Sequence, residues 1–227
     1  MANSDKFGTH WLPQVGFSFH PTEEWCLKAS MAKGYRNPSF RELYLYPPHN
    51  PDLDPESMMN YEVTIDHRFS RYLNADITGY FAQGRNIIQT LNGKNNNTGR
   101  FRNKGLELSV TSQPIDKLWL RASYSYMYSS LKELTAAPKN QYLIGANWQP
   151  LPRFNIDVEL KGVGGLYVAN EVERENNALL NLGFTYNVTS YIDLFAHLDN
   201  LTDADYMINN GYKMPGITCL GGFKLKL

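Results

Sequence analysis

Apolar and polar side chains alternate along most of the chain, and a period of two marks half-buried β-strands rather than helices. The pattern is cleanest from Met59 to Phe69, where Tyr61, Val63, Ile65, His67 and Phe69 share one face and Asn60, Glu62, Thr64, Asp66 and Arg68 the other. A turn at Ser70 to Tyr72 leads to Leu73, Ala75, Ile77, Gly79 and Phe81, opposite Asn74, Asp76, Thr78 and Tyr80. Upstream, Val15, Phe17 and Phe19 alternate with Gln14, Gly16, Ser18 and His20. After Pro21 to Glu24 the rhythm resumes with Trp25, Leu27, Ala29 and Met31, a hairpin by the length of its turn. Downstream it recurs in Asn103 to Gln113, Leu118 to Tyr128, Tyr142 to Trp148, Phe154 to Leu160, Leu180 to Tyr186 and Ile192 to Leu198. A last strand places Cys219, Gly221, Phe223, Leu225 and Leu227 on one face.

About eleven strands follow, joined by segments that alternate between short and long. Short turns fall at Pro21, Ser70, Pro114, Leu151 and Thr189, and longer loops at Pro47, Asn95, Leu134, Glu173 and Ala204. Loop length therefore has a side, as in bacterial outer-membrane barrels with short periplasmic turns and longer extracellular loops. Strand length agrees: roughly ten residues at about 3.3 Å each, tilted near 40°, span the ~25 Å lipid-facing band, about twice the ordinary strand. Phe69, Tyr72, Tyr128, Trp148, Phe154, Tyr186 and Tyr191 lie near strand ends, as interfacial girdles require. The expected fold is all-β, an antiparallel up-and-down transmembrane β-barrel. The alternative of another class is a soluble β-sheet binding module built as a sandwich, which also alternates but on shorter strands.

The largest interruption, GYRNPSFRELYLYPPHNPDLDPE from Gly34 to Glu56, is read as an irregular external loop. Pro38, Pro47, Pro48, Pro51 and Pro55 each remove a backbone donor and hold the preceding residue extended, against helix and strand alike. Such a loop is uncommon in a folded domain unless it is functional. The plain alternative is a linker, where Tyr35, Tyr44, Tyr46 and Leu53 would be out of place. The candidate ligand-binding residues are Tyr35, Arg36, Arg41, His49 and Asp52, since Arg holds carboxylate or catecholate oxygens and Tyr stacks on planar ligands. A second loop follows Ile87, Ile88 and Leu91, which extend a strand; its GKNNNTGR is rich in turn-forming Gly and Asn.

Composition narrows the partners. With 22 basic and 22 acidic residues there is no net charge to point to nucleic acid or an acidic substrate. A mean hydropathy of −0.44 would argue for solubility, but lipid-facing and lumen-facing residues average out in a barrel. No run approaches the roughly 18 apolar residues of a membrane helix. The opening MANSDKFGTH has neither an apolar h-region nor a cleavage site, which leaves a soluble protein or one whose amino-terminal part is missing. Cys26 and Cys219 show no ligand-like spacing to any of the five histidines, so no zinc site is expected. The strand phases place the two thiols on opposite faces, so no disulfide is expected.

Several segments, in order, resemble the TonB-dependent outer-membrane receptor family. They are GYRNPSFRELY, NPDLDPE and Tyr61-Glu62; Asn103-Lys104-Gly105-Leu106-Glu107; Asp199-Asn200-Leu201-Thr202-Asp203 with Tyr206; and Met214-Pro215-Gly216 before the last strand. The resemblance implies the outer membrane of a Gram-negative bacterium, surrounding lipid, and import of a small-molecule metal complex. An iron-siderophore is the first expectation, with haem, cobalamin or copper as alternatives. In that family a 22-stranded barrel encloses an amino-terminal plug, and a short box ahead of the plug engages TonB. Residues 1–227 are accordingly expected to be the carboxy-terminal part of the barrel, reaching TonB only through a plug and box they lack. Eleven antiparallel strands leave the first and last running the same way, so an open, curved sheet or a ten-stranded closure with one strand displaced is expected. Leu227 departs from the family's usual aromatic last residue.

No nucleophile constellation is legible. Gly162-Val163-Gly164-Gly165 falls in a strand rather than before a helix, against a phosphate loop. Glu107, Asp157 and Glu159 have the types of an acid/base set, but inward carboxylates line a solvated lumen, so neither enzymatic activity nor a resident cofactor is expected. Haem-importing members of the family use a loop histidine in a region comparable to that of His49, which makes His49 the candidate metal ligand. Siderophore and cobalamin receptors share its flanking segments. Met58 and Met59 are soft ligands of the kind copper takes, or simply the start of the next strand.

Overall fold

The alternating stretches form eleven strands: β1 (Gln14–Phe19), β2 (Trp25–Arg36), β3 (Glu56–Ser70), β4 (Leu73–Arg85), β5 (Arg100–Ile115), β6 (Leu118–Ser129), β7 (Asn140–Leu151), β8 (Phe154–Tyr167), β9 (Arg174–Asn187), β10 (Ile192–Asp199) and β11 (Thr218–Leu225). The computed structural model describes residues 2–4, 6–131, 134–169, 172 and 174–226. The strands make one antiparallel sheet in sequence order, with β1 and β11 as its terminal strands. Short connections at 20–24, 71–72, 116–117, 152–153 and 188–191 alternate with longer ones at 37–55, 86–99, 130–139 and 200–217. β8 and β9 run further than their alternation predicts and shorten the loop between them. The loop position assigned to Glu173 and the last face position, Leu227, lie outside the described residues.

Register keeps like faces together. Val15 stands opposite Met31, Phe17 opposite Ala29 and Phe19 opposite Leu27. Ile144 stands opposite both Ala122 and Leu160, and Leu198 opposite both Leu182 and Cys219. These apolar faces are open: Phe17 is 65% exposed, Ile144 57% and Phe223 67%. The other face carries polar ladders, among them Thr64 Oγ1 with Thr78 Oγ1 at 2.9 Å and the Asn74 amide donating to Asp66 at 3.3 Å. Cys26 Sγ lies 3.6 Å from Ser18 Oγ on that polar face; it and Cys219 are both free thiols.

Among the described residues no large side chain is fully buried. A sandwich would need a second broad sheet over the apolar face, and the other sheets among the described residues are two-stranded pairs. A continuous exposed apolar face of this kind is what a barrel turns toward lipid.

Contacts divide the chain into one unit of Met1–Ile65, Thr78–Gly105 and Tyr128–Lys132, and another of Asp66–Ile77, Leu106–Met127 and Glu133–Leu227. In the first unit two expectations are corrected. The stretch Gly34 to Glu56 is not wholly irregular, because β2 continues to Arg36 and a short helix α1 (Phe40–Tyr44) follows. The segment after Arg85 does not extend β4; it forms its own hairpin, Ile88–Leu91 with Lys94–Asn97. A further pair, Ala2–Ser4 with Gly8–His10, precedes β1. In the second unit the 200–217 connection contains a small pair, Met207–Asn209 with Tyr212–Lys213.

Candidate functional site

The loop at 37–55 is built around a helix start that outweighs its prolines. Ser39 is the N-cap, its hydroxyl accepting from Glu42 N at 3.3 Å while Glu42 accepts from Ser39 N at 2.7 Å, a reciprocal box that satisfies two otherwise unpaired donors. Pro38 lies just before the cap, where it removes no helical hydrogen bond. Glu42 also binds Arg36, at 2.9 Å, and Arg36 reaches Glu56 at the start of β3. One guanidinium thus ties the end of β2, the helix and the next strand together. Leu43 and Leu53 are buried beneath this frame, giving the loop a small core of its own.

The 88–97 hairpin braces the loop through asparagines. Asn50 Nδ2 donates to Asn95 O at 2.8 Å, and Asn95 N donates to Pro48 O at 2.6 Å. Asn97 accepts from Asp54 N at 2.8 Å and donates to Asp54 O at 2.9 Å and Asn86 O at 2.7 Å. The same loop is held from the amino-terminal side by Lys6, whose ammonium donates to Tyr44 Oη at 2.9 Å and Pro51 O at 3.0 Å. A long loop with this many non-local bonds is an ordered platform.

The five sequence candidates separate into two groups. Arg36 is occupied by Glu42 and Glu56. Tyr35 stacks on His10 with ring centroids 4.0 Å apart, and its hydroxyl is shielded without a hydrogen-bond partner. Arg41, His49 and Asp52 are exposed on the platform. Sequence reasoning left Tyr46 out of the set. Its backbone is left-handed at φ 55°, rare for an aromatic residue, and its ring is 78% exposed beside His49, whose N–H donates to Tyr46 O. Among the described residues no group of three or more His, Cys, Asp or Glu side chains is gathered for a metal.

In the second unit the polar face holds a cleft of about 700 Å³ bordered by Asp76, Glu107, Gln141, Lys161, Asn177 and Tyr206. An ion-paired ladder adjoins it through Lys161. Arg121 reaches Glu159 at 2.8 Å, crossing Gly145, which stands between them in register; Lys161 approaches the same carboxylate at 3.6 Å. A Cβ on Gly145 would sit 2.6 Å from Arg121 Nε, so any larger residue there would force the arginine stem onto another path. Asp157 accepts from Asn147 at 3.5 Å.

Eleven up-and-down strands, alternating short and long connections and an exposed apolar face define an outer-membrane β-barrel. The chain belongs to the family described as TonB dependent receptor-like, beta-barrel, which matches residues 2–201. It is 24% identical over 230 residues to the vitamin B12 transporter BtuB of Photobacterium profundum, covering 93% of this chain and 37% of that protein. Among solved structures, the ferric enterobactin receptor PfeA of Pseudomonas aeruginosa in complex with enterobactin is similar with a TM-score of 0.82 at 20% identity, over 97% of this chain and 41% of that one. The copper transporter OprC is similar with a TM-score of 0.80 at 19% identity, over 94% and 39%. The chain thus spans a little over a third of the curated relative's length and corresponds to part of such a barrel. It is an outer-membrane protein of the Gram-negative type, and the similar proteins described above are named as transporters or a receptor.

Proposed function

We propose that residues 1–227 are barrel, without a plug, of a TonB-dependent importer, and that the 37–55 platform contributes outer contacts to an anionic metal chelate of the iron-siderophore class. The observation that carries this reading is the division of labour between two arginines. Arg36 is neutralised inside the loop, while α1 presents Arg41 to solvent, the right donor for catecholate or carboxylate oxygens. Tyr46 adds an exposed ring for a planar ligand, and Asp52 lies further along the same platform. Coupling to TonB belongs to a plug and its box. The named cargoes of the similar proteins, vitamin B12, ferric enterobactin and copper, are all metals or metal complexes, in line with this class. Haem is the second reading, favoured by the exposed ring of His49, because an axial bond to haem iron needs one histidine rather than a cluster.

The test is a titration of the detergent-extracted receptor with a ferric catecholate chelate, haem, cyanocobalamin and Cu(II), followed by tryptophan fluorescence. Saturable binding of the ferric chelate, weakened about tenfold by Arg41→Ala, is the expected result. Binding of haem with a shifted Soret band, and none of the chelate, selects the second reading. Binding of cyanocobalamin or Cu(II) alone contradicts both.

A further inference from the structure

At the long-loop ends of β2 to β5 the lipid-facing side stops being apolar. Lys33, Arg85, Arg100 and Arg102 gather there around a cleft of about 270 Å³, with Ser57 and Gln83 also in its lining. Strand parity fixes the face. Along β4, Phe81, Gln83 and Arg85 are exposed while Ala82 and Gly84 between them are buried. Along β5, Arg100 and Arg102 are exposed while Phe101 is buried, its ring packed where a Cβ on Gly84 would stand. Lys33 shares parity with Leu27, Ala29 and Met31 on β2. The cations therefore sit on the face that Tyr61, Val63 and Leu106 continue toward the middle of the band.

Among the described residues no carboxylate pairs with any of the four. Glu56, at the start of β3, is engaged by Arg36 and by Ile88 N. Two residues further along the same face of β5, Lys104 lies over the Tyr128 ring at 5.3 Å, and tyrosines of this kind mark the interface between hydrocarbon and headgroups. Four like charges crowded at that level repel one another unless an anion lies among them. Guanidinium forks match phosphate oxygens two at a time, and a lysine adds a point charge. Basic pockets between membrane-spanning elements recognise anionic headgroups by this chemistry.

We propose that this cleft binds the phosphorylated headgroup of an outer-leaflet lipid. Arg85, Arg100 and Arg102 take the phosphate, Lys33 supplements the charge, and Ser57 and Gln83 supply neutral hydrogen bonds. The acyl chains lie along the apolar side chains below, a surface that a free phosphate would leave unused.

The protein, extracted from outer membranes in dodecyl maltoside and delipidated, is titrated with bisphosphorylated lipid A and with its phosphate-free form, alongside the triple variant R85Q/R100Q/R102Q. The wild type is expected to bind the bisphosphorylated lipid at least tenfold more tightly than the phosphate-free form, and the variant to lose that preference. Raising the salt is expected to weaken only the wild type's preference. Circular dichroism checks the variant's fold, and the three single substitutions, each expected to give a partial loss, replace it if it fails to fold. Equal binding of the phosphate-free lipid, or unchanged binding by the variants, overturns the site. Displacement of the lipid by inorganic phosphate at equal concentration overturns its assignment to a lipid.

Discussion

Glu42 is the residue on which the candidate platform turns, because it closes the helix cap and the ion pair with Arg36 at once. Burial pushes its carboxyl up, but the hydrogen bonds from Arg36 and at Ser39, with the guanidinium charge, outweigh it and hold the group below its ordinary value. A carboxylate depressed in the folded state stabilises it fully above the unfolded value of about 4.3 and loses that contribution as pH falls through the folded value. Amide protection factors at Leu43 and Leu45 are therefore expected to hold from neutral pH down to about pH 5 and to fall below about pH 4. In Glu42→Gln the protection should be lower at neutral pH and lose this acid step; an unchanged acid step would assign it to another group. The ion pairing of Arg36 was not legible in the sequence. Its partners come from two elements, Glu42 from the helix and Glu56 from the start of β3, and meet at Arg36 only in the folded loop. The Ser-x-x-Glu box at Ser39 to Glu42 was present in the sequence, and the weight given to five prolines concealed it.

Among the elements, strands were the legible part, because a period of two on both faces survives any tertiary context. The loop hairpin was not read, although Asn92-Gly93 is the strongest short-range signal for one, and both residues adopt the left-handed φ, 53° and 73°, that such a turn requires. What no local pattern carries is the bracing of one loop by another across 43 residues, through Asn97 and Asp54. Asn97→Ala removes those bonds and the one to Asn86 O, at a cost of about 1 to 2 kcal/mol. Residues 37–55 are then expected to be cleaved several-fold faster by chymotrypsin, whose targets there include Phe40 and Tyr44, with the strands still resistant. Equal cleavage rates would mean that the loop is ordered by Arg36 and Glu42 alone.

At the scale of the whole molecule, the deciding fact is that the apolar face of the sheet lies exposed among the described residues. A soluble protein rarely leaves residues such as Val15, Phe17, Val63 and Phe223 at more than half exposure on the apolar faces of its strands, whereas a barrel in lipid needs them there. Sequence alternation carried this conclusion because it reports faces, while mean hydropathy, which sums the two faces, pointed the other way. Substrate identity was not legible at this scale, since chains related to this one serve proteins named for vitamin B12, ferric enterobactin and copper on one scaffold. The most direct test is a nitroxide scan along β3 from Asn60 to Phe69 in outer membranes. It measures, at each position, accessibility to oxygen, which partitions into lipid, and to a water-soluble nickel chelate. Alternation is the predicted result, with labels at 61, 63, 65, 67 and 69 reached by oxygen and those at 60, 62, 64, 66 and 68 favouring the chelate. Uniform accessibility to the chelate, or loss of the period of two, would contradict a membrane-spanning sheet.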